Sequence, residues 1–321
     1  MKAWKIANQS LSLQEAATPI NDRGQVRVRV EAVGINRADL LQVKGLYPAP
    51  PGVVADIPGL EYVGVIDATG EDCVTRRVGE RVMGLVPGGA FAEYVVCHEE
   101  ETLSIPAGMT VEQAATLPES FTTAYRALVS DADLQPGEWC LVRPASAAVG
   151  MAAAQLANAM GAQVLGSSRD VRRLSLQHEQ GELHECITEP LTLDAIRDAT
   201  DGNGLDVVID MVGPDWDSLL PALNNSARIV LLGILGGATT TVPLAHVLMN
   251  QLTISAMTLR RQPLTERLRL ARQFQRVLLP MFERRQLNAL PFHVHPFNRA
   301  PDALAAVRSR GDVGKHVLIM S

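Results

Sequence analysis

The sequence predicts an α/β protein in which a doubly wound parallel sheet is inserted into a smaller, mostly β, barrel-like domain. Three observations carry this. From Gln25 to Val33, QVRVRVEAV alternates apolar and polar residues with the period of a half-buried strand, and this style dominates the first ~120 residues. After Thr116 it gives way to continuous apolar runs separated by helical segments, as in strands covered on both faces. From Leu290 to Ser321, ending KHVLIM, the chain returns to the strand-and-helix style of its beginning, so the parallel unit is an insertion. The boundaries read 1–120 plus 260–321 for the outer, substrate-side domain and 121–259 for the insertion.

In chain order, Gly59–Ala68 and Ala92–Val96 read as further outer-domain strands between Gly and Pro punctuation. The parallel sheet takes WCLV at Trp139, QVLG at Gln163, DVVIDMV at Asp206 and RIVLLG at Arg228, with LTISAM at Leu252 closing it. Arg260, Arg261, Arg267, Arg269, Arg272 and Arg276 make a basic stretch. Leu264, Leu268, Ala271 and Phe274 recur within it at helical spacing, so it reads as an amphipathic helix with a solvated basic face. His293 and His295 alternate beside Pro291 and Pro296 as polar residues of a strand.

The chain has 321 residues, the size of two domains, and its 47% hydrophobic and 20% charged composition suffices for a large core without disulfides or metals. A net charge of -6 argues against a nucleic-acid partner, which needs a concentrated basic surface. No apolar stretch approaches the ~18 residues of a membrane span, and Met1–Ser10 carries no signal-like run, so a soluble, cytoplasmic protein without a membrane partner is expected. Cys73, Cys97, Cys140 and Cys186 are scattered rather than paired, which reads as reduced structural thiols.

The cofactor signal lies in Trp139–Arg173, where a short strand runs into a small-residue turn, an Ala-rich helix, Gly161 and a second strand. This is the βαβ context of a Rossmann dinucleotide site. Against G-x-G-x-x-G the turn reads Ala145, Ser146, Ala147, Ala148, Val149, Gly150, so only the third glycine is present. Ala145 and Ala147 are the smallest substitutes that still let backbone approach a pyrophosphate, although an Ala-rich packing turn would read the same way. At the end of the second strand an NAD enzyme would carry an acid for the ribose 2′-hydroxyl. Here stand Ser168 and Arg169, with Arg172 or Arg173 one turn on, donors suited to a 2′-phosphate, and the cofactor is read as NADPH. Asp170 is the contrary sign, unless it caps a helix.

The segments GINRADLLQVKGLYPAPPG at Gly34, IPGLEYVGVI at Ile57, VGERVMGL at Val78, GAFAEYVV at Gly89, AATLPESFTTAYRAL at Ala114, DVVIDMVG at Asp206, RIVLLGILGG at Arg228 and GKHVLIM at Gly314, with the cofactor turn, follow one family's order. On them the chain resembles the medium-chain dehydrogenase/reductase superfamily, and within it the zinc-independent NADPH quinone oxidoreductases. The resemblance implies a GroES-like fold for the outer domain. Zinc members place a Cys after the first strand and then Gly-His-Glu. This chain has Asn36–Asp39 and Gly59-Leu60-Glu61 at those places, so no catalytic zinc is expected.

The resemblance also implies roles. Tyr47, in GLYPAPPG, would face the nicotinamide and donate to a substrate oxygen, or else pack on Pro48 and Pro50. Asn36 would orient cofactor or substrate, while Asp39 serves equally as a helix cap. Thr123 matches a threonine near the nicotinamide ribose, though a helix-start hydroxyl reads the same. Gly233 and Gly236, with Gly237, would let backbone approach the nicotinamide half, or be turn glycines only. Leu259 and Arg260 would lie near the nicotinamide and dimer surfaces, and Lys315 near the cofactor or on the surface. Without a Lewis acid, the expected chemistry is hydride transfer to a quinone or α,β-unsaturated carbonyl, whose charge spreads onto oxygen. Alternatives are a 2-enoyl thioester reductase and an NADPH-binding, redox-responsive protein without catalysis. A homodimer through the Leu252–Met257 edge is expected.

Overall fold

The computed structural model describes residues 1–309 and 311–320. In the outer part β1 (Lys2–Ala7) and β2 (Ser10–Glu15) form an antiparallel hairpin. There follow β3 (Gln25–Ile35), β4 (Glu61–Thr69), β5 (Arg81–Leu85), β6 (Tyr94–His98) and β7 (Thr102–Ser104). The insertion supplies β8 (Trp139–Arg143), β9 (Gln163–Ser168), β10 (Glu185–Thr188), β11 (Leu205–Asp210), β12 (Leu223–Leu231) and β13 (Thr253–Ala256). The chain then returns through β14 (Phe292–Pro296) and β15 (Lys315–Ile319). Two compact units result, Met1–Thr122 with Leu259–Ser321, and Thr123–Thr258.

In the first unit β3 is the spine. It pairs antiparallel with β6 over Gln25–Arg29, with β4 over Val26–Ala32 and with β15 over Ala32–Ile35. Its alternation decides its faces: Val26, Val28 and Val30 enter the core while Arg27 and Arg29 point away. Phe91, Tyr62, Ile66 and Leu318 fill the same core. Helix Leu264–Gln273 buries Ala271, which the spacing singles out, and also Leu270, which it does not, while Leu264 at the helix start is exposed. Its basic face is not simply solvated, a correction to the sequence reading. Arg267 pairs with the buried Glu101 at 2.9 Å and Arg272 with Glu100 at 2.6 Å, acids distant in sequence that the fold brings up.

In the second unit the strands are parallel in the order β10-β9-β8-β11-β12-β13, with Leu141, Leu165, Val208 and Ile229 in the core. β13 is an edge, as LTISAM suggests. The edge strand β10 goes unpredicted because only Ile187 of its four residues is buried, too little for a periodic signal.

Candidate active site

In the second unit, β8 runs into the Pro144–Ala147 turn and helix Ala148–Ala159. Gly150 has no alternative there, since a Cβ would lie 2.2 Å from the Pro144 carbonyl oxygen and 2.9 Å from Ala145 Cα. This is the close helix–strand packing expected of the motif's third glycine. Ala147 caps the helix without a side-chain hydrogen bond, so no side chain of the cap competes for the first-turn N–H groups around Ala148 and Val149. Those donors fit an anion such as a pyrophosphate. Ser146 Oγ and Ser168 Oγ meet at 3.4 Å across the turn, linking it to the end of β9.

Asp170 is engaged on its own side of the turn. Its Oδ1 accepts the Arg172 N–H at 3.1 Å, and its two oxygens take the Arg172 guanidinium at 2.9 and 2.8 Å. The pair neutralises Asp170 just beyond the second strand's end and engages Arg172, leaving Arg169 exposed and Arg173 half-buried nearby. Below the turn a buried network holds the carboxyl ends of three strands together. Arg143, fully buried, is bidentate to Glu189 at 3.1 and 3.2 Å, and Ser167 Oγ donates to the same carboxylate at 2.8 Å. Arg143 also lies 3.6 Å from Asp210, which accepts from Trp216 Nε1 at 2.9 Å and from the N–H groups of Val212 and Gly213. Burial raises the Asp210 carboxyl above its ordinary range, against the pull of Arg143 and these donors. Gly233 and Gly236 follow β12, and Gly236 N–H bonds Val212 O at 2.8 Å, so the two loops lie side by side. Thr123 is buried, and its hydroxyl has no hydrogen-bond partner.

The first unit holds a second constellation. Lys315 and Glu61, both wholly buried, form an ion pair, and Lys315 Nζ also donates to Asn36 Oδ1 at 2.8 Å and Ser120 Oγ at 3.3 Å. Asn36 Nδ2 donates to Glu61 Oε1 at 2.7 Å, and the Glu119 backbone N–H donates to Glu61 Oε2 at 2.9 Å. Asn36 therefore bridges Glu61 and Lys315. Lys315 is an interior residue of this unit, with its ammonium enclosed. Asp39 closes the start of helix Arg37–Val43, accepting from Asn36 N at 2.7 Å and from Gly59 N at 3.1 Å. Gly59 sits at φ +104, and a Cβ there would come within 2.6 Å of the Phe91 ring. Burial first, then the neighbouring Glu61, pushes the Asp39 carboxyl up to about 7.

Tyr47 has a cation against its ring. The Arg260 guanidinium lies 5.2 Å from its ring centroid and donates to Tyr47 O at 2.7 Å, Pro87 O at 2.7 Å and Gln42 Oε1 at 2.8 Å. Arg260 is buried, so one planar cation joins the Tyr47 loop, helix Arg37–Val43 and the Pro87 turn. A cavity of about 40 Å³ lies beside it, walled by Leu60, Leu103 and Leu259 and by the polar groups of Glu119, Thr122 and Arg260. Burial first, then Glu61, pushes the Glu119 carboxyl up to about 8, with Lys315 and Arg260 opposing.

Sequence reasoning missed Arg143, Glu61 as a partner of Lys315, and Glu119. A signal existed. Asp39, Glu61 and Glu119 each stand in an apolar setting, RADLL, GLEYV and LPESF, as Lys315 does in GKHVLIM, and buried charges must find partners.

Residues 22–107 match the family described as alcohol dehydrogenase GroES-like domain, and residues 148–274 match the zinc-binding dehydrogenase family. Quinone oxidoreductase-like protein 2 of Mus musculus is 34% identical over 252 residues, spanning 78% of this chain and 71% of the relative. Among solved structures, the quinone oxidoreductase of Thermus thermophilus, studied also as its complex with NADPH, superposes with a TM-score of 0.83 at 33% identity, covering 99% of this chain and 100% of that one. CurK enoyl reductase superposes with a TM-score of 0.85 at 25% identity, covering 100% and 99%.

Proposed function

The chain belongs to the medium-chain dehydrogenase/reductase superfamily, in its quinone oxidoreductase branch, and we propose that it is an NADPH-dependent, zinc-independent reductase of quinones or α,β-unsaturated carbonyls. The observation that carries the cofactor choice is the end of β9. Ser168 and the exposed Arg169 stand there, and the nearby acid, Asp170, is closed off by Arg172. A bound NADPH would rest its pyrophosphate on the Ala148–Ala159 helix start and its 2′-phosphate on Ser168 and Arg169, with Arg173 adjacent. The reduced nicotinamide supplies the hydride. The relative from Thermus thermophilus, described in complex with NADPH, supports the same choice.

The residues do not fit a catalytic zinc. Where a ligating His would stand, Leu60 presents hydrocarbon to the cavity, and among the described residues no three His, Cys, Asp or Glu side chains gather as a metal needs. Charge developing on the substrate oxygen must then meet hydrogen-bond donors. Tyr47, held by Arg260, is the donor we assign, so Tyr47→Phe should lower kcat by ~10² to 10³. Asn36 acts at one remove, through Glu61 and Lys315.

The likeness to CurK enoyl reductase favours one further reading, a 2-enoyl thioester reductase. NADPH oxidation measured side by side with 1,4-benzoquinone, 9,10-phenanthrenequinone and crotonyl-CoA separates the readings. Activity with crotonyl-CoA alone favours the thioester, and silence with all three leaves a cofactor-binding protein without catalysis. We also propose a cytoplasmic homodimer joined along β13, where Ile254 is 41% exposed on an otherwise open edge. No described helix is long and apolar enough to cross a membrane. A monomer by light scattering at micromolar concentration would refute the dimer.

A further inference from the structure

Besides Asp170, a second acid stands against the end of β9. Glu189 follows β10, and its N–H donates to Ser168 O at 2.9 Å while its carboxylate accepts from Ser167 Oγ at 2.8 Å. Its side chain is 9% exposed, so its charge is poorly screened by water. An ionised acid in that place repels any phosphate seated on Ser168 and Arg169. The cation that meets it is Arg143, the last residue of β8, bidentate to Glu189 at 3.1 and 3.2 Å. The same stretch of β9 also fixes the cofactor turn, since Ala145 N–H donates to Ser167 O at 2.9 Å.

Stability does not account for this cation. A buried ion pair holds strand ends together no better than a well-packed neutral pair. Arg143 is wholly buried, and its Nη1 has no hydrogen-bond partner among the described residues, lying 3.6 Å from Asp210 Oδ2. What a neutral pair could not supply is positive charge. One guanidinium here answers two acids, Glu189 and Asp210.

We propose that Arg143 is a specificity-determining residue for the 2′-phosphate, acting through Glu189, whose repulsion of that phosphate it cancels. The proposal rests on the reading of the cofactor as NADPH. Arg143 is enclosed and acts at one remove, so it is a positioning residue. A phosphate monoester carries a charge of about −1.5 to −2 at pH 7, and a ribose 2′-hydroxyl carries none. The state of Glu189 therefore weighs on the 2′-phosphorylated nucleotide far more than on its unphosphorylated counterpart. Left uncompensated, one carboxylate at the margin of the protein should cost such a phosphate about tenfold in affinity.

The test is calorimetric titration of the whole chain with adenosine 2′,5′-bisphosphate and adenosine 5′-monophosphate, which differ only in the 2′-phosphate. The ratio of the two affinities is the readout, because a merely loosened turn weakens both ligands alike. Arg143→Met should lower the ratio by about tenfold. Glu189→Gln keeps an acceptor for Ser167 and leaves the Arg143 charge uncancelled, so it should raise the ratio by about threefold or more. The double variant, again without a net charge at this pair, should return to within about threefold of wild type. Equal weakening of both ligands by Arg143→Met overturns the proposal, as does a ratio unchanged or lowered by Glu189→Gln. Thermal melts show whether each variant is folded, and if Arg143→Met is not, Glu189→Gln alone decides. Equal affinities for the two ligands in wild type would overturn the NADPH reading, and the shift of the ratio on substitution would still decide whether Arg143 and Glu189 govern the 2′-phosphate.

Discussion

Lys315→Met removes the ammonium from the centre of a wholly buried network while keeping most of the side-chain volume. Glu61 keeps the Asn36 and Glu119 N–H donors at 2.7 and 2.9 Å but loses its counter-ion, and Asn36 Oδ1 and Ser120 Oγ each lose a donor. Breaking a buried ion pair from one side costs ~3–5 kcal/mol, because the remaining charge stays in the interior. Two further acids, Asp39 and Glu119, repel that charge, which puts the expected loss at the upper end, or a melting temperature lower by roughly 6–20 °C for a unit of this size. Lys315 also holds down the proton affinity of Asp39 and Glu119, whose carboxyls burial pushes up to about 7 and about 8, so without it both rise further. An acid whose folded pKa is raised binds more protons folded than unfolded, so stability falls as pH rises, and the deficit should be larger at pH 8 than at pH 5.5. Urea unfolding at both pH values, with hydrogen exchange of β3 and β15 to localise the loss, measures this. Glu61→Gln combined with Lys315→Met should recover more than half of the deficit, since no uncompensated charge remains. A loss below about 1 kcal/mol at both pH values, or a double variant as damaged as the single one, would refute the network account.

Four other outcomes are expected. Arg260→Met should release the Tyr47 loop, seen as faster proteolysis between residues 45 and 55, because three hydrogen bonds from one buried cation are lost together, each worth ~1.5–3 kcal/mol. Arg169→Ala should weaken NADPH binding by ~1.5–3 kcal/mol and NADH binding much less, in fluorescence titrations of both cofactors; equal losses would point to a cofactor without the 2′-phosphate contact. Gly150→Ala should destabilise the second unit by ~1–3 kcal/mol and abolish cofactor titration, as its Cβ would meet a backbone carbonyl at 2.2 Å that cannot turn aside. His295 and His316, hydrogen-bonded at 2.9 Å, are held below the ordinary histidine range by burial and then by neighbouring imidazoles, His293 included. The unfolded chain binds protons there more readily, so stability should fall as pH drops below about 6.5, and His316→Gln should flatten that decline in thermal melts.

Period and punctuation in the sequence determined the architecture of each unit. The alternation of QVRVRVEAV makes β3 a strand with one buried face, and the apolar runs at Leu141, Val208 and Ile229 admit only a sheet covered on both sides. The helix under Arg267–Arg276 and the cofactor turn were legible for the same reason, since spacing within one element is a local property. What only the tertiary structure decided is who meets whom. Lys315 lies 279 residues from Asn36 yet donates to it, Arg260 reaches across 218 residues to Gln42, and Arg267 finds Glu101. Such partners are chosen by register between strands and by the requirement that a charge taken out of water be matched, and neither leaves a periodic trace in the chain. Glu119 shows the difference most directly. In the sequence it is one acid in a helix start, and only burial beside Glu61 and Asp39 pushes its carboxyl up to about 8.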